Sequence, residues 1–105
     1  MVDKVLTASG IPYRKTRFIK PPAETYAVYL DDVETDGPDG QNRIYSHSVS
    51  VELYAPTPAQ ADQAESKLEQ ALDAAGLQYT KQAQYWIAET QRYQTIYEFD
   101  YTVKK

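Results

Sequence analysis

The stretch "IYSHSVSVELYAPTPAQADQAESKLEQALDAAGL", residues 44–77, carries two hydrophobic periods one after the other. From Ile44 to Tyr54 the period is two. Val49, Val51 and Leu53 fall on one side, and Ser46, Ser48, Ser50 and Glu52 on the other. That alternation predicts a strand with one packed face and one wet face, as in an antiparallel sheet covered on a single side. After Thr57 the period becomes helical. Ala61, Ala64, Leu68, Ala71, Leu72 and Ala75 form one apolar stripe. Thr57 is positioned as the N-cap, Pro58 in the first turn and Gln60 three residues after the cap. Gly76 stops the helix, and Leu77 stands where a Schellman motif places its hydrophobic contact. The small alanines let this helix lie close to the strand before it. Asp62, Glu65, Glu69 and Asp73 are read as its solvated face.

Working outward from this strand–helix unit, "VDKVLTASG" predicts a short first helix ended by Gly10, with Val2, Val5 and Leu6 on one face. Ile11-Pro12 forces extended backbone. "YRKTRFI" and "TYAVYL" read as two strands, and Tyr26, Val28 and Leu30 oppose Ala27 and Tyr29 in the second. Towards the C-terminus, "QYWIAE" and "RYQTIYEFDYTV" are strands around a turn at Thr90-Gln91, with Tyr93, Thr95, Tyr97, Phe99, Tyr101 and Val103 sharing a face. The order α-β-β-β-α-β-β predicts an α+β fold, a mainly antiparallel sheet with two helices packed on it. At 105 residues the chain is one domain with a single core.

Residues 31–43, "DDVETDGPDGQNR", are expected to form a mobile hairpin loop. Asp32, Glu34, Asp36 and Gly37 match the first positions of a twelve-residue calcium loop, but the twelfth is Arg43 where a bidentate acid is required. Strands flank it instead of helices, and "GPDG" is turn chemistry. A hairpin tip, not a metal site, is the reading. His47 is the only histidine and lies on the packed face of its strand, as a partly buried structural residue. The serines lack a nucleophile elbow, the four glycines form no phosphate loop, and there is no cysteine. No cofactor and no enzyme activity are expected.

A net charge of −4 argues against general nucleic-acid binding, which needs a basic stripe. The segment Tyr13–Lys20, with Arg14, Lys15, Arg17 and Lys20 interleaved with Tyr13 and Phe18, is the local exception and the basis of a single-strand-binding alternative. A second alternative is a small acidic regulatory or inhibitor-like binding module. No run of about 20 apolar residues is present to span a bilayer, and the N-terminus has no basic or long apolar segment of the signal-peptide kind. Ten tyrosines, against two phenylalanines and one tryptophan, favour half-buried sheet and contact surfaces.

The runs "SGIPYRKTRFIKPPAETYAVYL", "RIYSHSVSVELYAPTPAQADQAESKLEQAL" and "YTKQAQYWIAETQRYQTIYEFDY" together resemble a family of small prophage proteins. These are the tail-completion, tail-terminator or head–tail joining components of long-tailed phages. The resemblance implies a virion subunit that waits in the host cytoplasm, then joins other phage head and tail structural proteins as a homo-oligomeric, typically hexameric, ring. The isolated chain is expected to be a monomer whose loop, through Asp36, Asp39 and Arg43, contacts neighbours once assembled.

Overall fold

The computed structural model describes residues 1–36 and 44–104. Its elements are α1 (Val2–Ser9), β1 (Tyr13–Lys15), β2 (Tyr26–Asp36), β3 (Ile44–Ala55), α2 (Pro58–Ala74), β4 (Thr80–Lys81), β5 (Tyr85–Ile87) and β6 (Arg92–Lys104). The strands form one sheet in the order β1-β2-β3-β6-β4, with β5 also on β6. Only β1 against β2 is parallel. This is the α+β architecture expected, with the short β4 added.

The strand–helix unit forms as its periods dictate. Thr57 Oγ1 accepts the Gln60 N–H at 3.2 Å. The reciprocal half of a capping box is absent, because the Gln60 side chain donates instead to Glu24 at 3.3 Å. At the other end Gly76 takes φ 73°, its N–H bonds the Asp73 carbonyl, and the Leu77 N–H bonds the Leu72 carbonyl. Those two bonds define a Schellman motif and satisfy carbonyls the helix leaves orphaned.

β3 and β6 pair over twelve positions, from Ile44↔Lys104 to Ala55↔Tyr93. Their register puts Val49 opposite Phe99, Val51 opposite Tyr97 and Leu53 opposite Thr95. All six are buried. α2 lays Ala64, Leu68 and Leu72 on this row, and α1 adds Val2, Val5 and Leu6 to the same core.

Four sequence expectations change. First, β2 runs through Asp36 and pairs residue by residue with Ile44–Val49, so residues 31–36 are strand and not loop. Carboxylates are poor strand formers, but the neighbouring ladder supplies their backbone partners. Second, β1 ends at Lys15, because Thr16 adopts φ 72°. The Thr16 N–H bonds the Tyr29 carbonyl and the Arg17 N–H bonds the Lys15 carbonyl, a three-residue turn that takes the chain off the sheet edge. Third, the face away from the helices is not wholly wet. Phe18 packs edge-on against Tyr26 at 5.3 Å and Tyr26 stacks on Tyr54 at 5.0 Å, burying Tyr26 and Val28. Fourth, β5 is limited to Tyr85–Ile87.

Leu68 is fully buried at the centre of the α2 stripe. Leu68→Ala should therefore cost about 2–5 kcal/mol through the cavity it leaves. Urea unfolding checks this; a wild-type midpoint would show that α2 packs on another face.

Candidate subunit-contact surface

The helical layer ends partway along the sheet. On the helix side the buried row stops at Val49 and Phe99. Beyond it β2, β3 and β6 continue as a three-stranded arm that carries half-buried His47, Tyr45 and Tyr101, then exposed Val33 and Val103. An opening of about 350 Å³ lies over this row, bordered also by Met1. His47 Nδ1 sits 2.9 and 3.0 Å from the two Asp31 carboxylate oxygens, and its ring stacks on Tyr101 at 4.3 Å with planes 6° apart. One ring face and one nitrogen of His47 are committed to structure. The expected structural role agrees with that geometry.

The opposite face of the arm is polar apart from exposed Ile44 at its end. Ser48 lies between Asp32 and Asp100 in the register, and Ser46 between Glu34 and Thr102. Asp32 and Glu34, two of the calcium-loop matches, stand on extended strand. Among the described residues no group of three or more His, Asp or Glu side chains is arranged to hold a metal ion. Of the residues expected to contact a neighbour, Asp36 ends β2 opposite Ile44, with only its backbone described. Asp39 and Arg43 lie outside the described residues.

The aromatic residues of the basic segment make contacts within the fold. Arg14 lies over the Phe18 ring at 5.0 Å, and Phe18 in turn packs on Tyr26. The Tyr13 hydroxyl lies 3.0 Å from the Thr7 hydroxyl and donates to the Asp3 carbonyl at 3.3 Å. The Phe18 ring is thus engaged within the fold, while Tyr13 is held through its hydroxyl with its ring 6.3 Å from that of Tyr29.

Sequence reasoning missed a buried polar network under α2. The helical pattern puts Glu65 and Glu69 on the solvated face, yet Glu65 is buried and accepts hydrogen bonds from Thr95 at 2.8 Å and Gln84 at 2.7 Å. Lys81 Nζ lies 2.7 Å from Glu65 and 2.8 Å from Glu69, and the Tyr97 hydroxyl donates to Glu69 at 2.6 Å. The signal was on β6: a threonine and a tyrosine on its packed face both need polar partners. Burial would raise both carboxyl pKa values, but the hydrogen bonds from Lys81 and from Gln84 and Thr95, or from Tyr97, outweigh it and hold both below the usual range. Burial first, and then Glu69, push the Tyr97 phenol far up. This network cross-links α2, β4 and β6, with every member's charge or hydroxyl satisfied. It is architecture.

The sequence matches no protein-family model and no curated protein. The fold does have a solved counterpart. A chain of the "Virion of native gene transfer agent (GTA) particle" superposes with a TM-score of 0.67 at 18% identity, covering 96% of this chain and 84% of that one. The two share a fold.

Because Glu65 and Glu69 have folded-state pKa values below 4.5, their stabilisation is full above that pH and is lost as pH falls through the lower folded values. Denaturant midpoints measured from about pH 6 down to about pH 2.5 should fall steeply at the acid end. In Glu65→Gln/Glu69→Gln the fall should be shallower and the neutral-pH midpoint lower. An unchanged acid slope would show the network contributes nothing.

Proposed function

We propose that this chain is a phage-type virion structural subunit that acts by surface contact and without turnover. At finer grain it is a ring-forming tail-completion or tail-terminator component at the head–tail junction or tail end. One observation carries the reading: a fold shared along almost the whole chain with a component of a gene transfer agent virion particle. The arm supports it, since a sheet that outruns its helices exposes valine and aromatic surface of the kind subunit contacts cover. The polar clusters support it as well. Glu65, Glu69, Lys81 and Asp31 are each tied to a structural partner. Its partners are further copies of itself and other head and tail proteins, and Asp36, Asp39 and Arg43 contribute to those contacts.

The experiment is genetic and biochemical. Purified particles or assembly intermediates of the phage should contain the protein, detected by mass spectrometry. A null allele should yield heads and tails that fail to join, or tails of abnormal length, seen by negative-stain microscopy. Complementation with Asp36→Ala/Asp39→Ala/Arg43→Ala should restore about tenfold fewer infectious particles than wild type, the scale of one or two lost contacts. Absence from every particle and intermediate would sink the virion reading. Full complementation by the triple variant would sink only the contact role of those residues.

A further inference from the structure

The β6 edge is built to pair with itself, and we infer that two copies of this chain associate through it by a two-fold axis. β4 and β5 cover β6 only at residues 92–94 and 97–98. The Gln82 N–H reaches the Ile96 carbonyl, so the even-numbered residues of β6 direct their backbone groups to the outer edge. Continuing the alternation, Asp100, Thr102 and Lys104 present both N–H and C=O outward, and among the described residues no strand pairs with them on that side. No proline or bulge blunts this edge.

The side chains select one register. An antiparallel pair centred on Thr102 sets Asp100 opposite Lys104 of the second copy, and Lys104 opposite its Asp100. Asp100 and Lys104 are exposed, have no ion-pair partner within the chain among the described residues, and lie on the same face of β6. All three outward residues then fall at hydrogen-bonded positions. On the helix-side face the same register sets Tyr101 opposite Val103, an aromatic–β-branched pair at the closer, non-hydrogen-bonded spacing. It brings exposed Val103 and half-buried Tyr101 of the two copies together across the axis. The arriving Lys104 meets an opening of about 390 Å³ between Gln78–Thr80 and Glu98–Asp100. The overlap is confined to residues 100–104, beyond the last β4 pair at Glu98.

The other open edge of the arm is different. β2 beyond Tyr29 carries Asp31, Asp32 and Glu34, so antiparallel pairing of β2 with its own copy opposes carboxylates. Charge therefore blocks one edge against self-pairing and directs the other towards it. A two-fold contact is isologous and closes on itself. It gives a dimer of the free protein, where the loop-based sequence argument expected a monomer, and it stands apart from the proposed role in the particle.

Sedimentation equilibrium from about 10 μM to about 1 mM suits a contact of this small size. The wild type should show a monomer–dimer equilibrium that weakens with salt, and the amide signals of Asp100, Thr102 and Lys104 should shift with concentration. Asp100→Lys and Lys104→Asp should each raise the dimer Kd about tenfold or more. Mixed in equal amounts, the two variants should form a heterodimer, and the double variant Asp100→Lys/Lys104→Asp should recover homodimer. Circular dichroism confirms that each variant is folded; the mixing result requires folded partners. A wild type monomeric at 1 mM, single reversals without effect, or a double variant as weak as the singles would each overturn the inference.

Discussion

The twelve-pair register between β3 and β6 is the constraint on which the rest of the structure depends. It brings Val49, Val51 and Leu53 level with Phe99, Tyr97 and Thr95, and so creates the single apolar row that α2 covers. A slip of one residue would send every one of these side chains to the other face. It would also carry Thr95 and Tyr97 away from Glu65 and Glu69, leaving buried carboxylates without partners. Hydrophobic pattern and hydrogen-bond network thus demand the same register, and that agreement gives the domain one well-defined pairing.

The same two strands also explain the shape. They are longer than the helices that cover them, because α2 ends at its Schellman motif and α1 is only eight residues long. The surplus strand length becomes the arm. Its helix-side face continues the core row with His47, Tyr101 and Val103 in place of fully buried residues, so apolar surface and aromatic stacking extend past the point where the fold can bury them. The proposed contact role would use such surface. The tyrosines suit it, since each ring packs while its hydroxyl reaches a polar neighbour, as Tyr29 does with Asp3 and Tyr54 with Glu52.

Likeness to a gene transfer agent virion chain at 18% identity is a statement about backbone arrangement. Glu65, Glu69 and Lys81 are consumed by cross-links between elements, and the paired histidine is stacked and hydrogen-bonded into the sheet. The polar chemistry near the core of this domain holds strands and helices together.

The helix caps, the α2 stripe, the β3 and β6 alternation and the α+β class were legible in the sequence because each is written within a few residues of itself. Period two or period 3.6, a threonine before the helix and a glycine after it act on local backbone alone. What only the tertiary structure decided involves partners far along the chain. β2 continues through four acidic residues because β3 offers a ladder beside them. Glu65 is buried because Lys81, Gln84 and Thr95 converge on it from sixteen to thirty residues away. Thr16 takes a left-handed backbone because the Tyr29 carbonyl accepts its N–H. Short-range propensity favoured a different answer at each of these places, and a hydrogen-bonding partner brought near by the fold outweighed it.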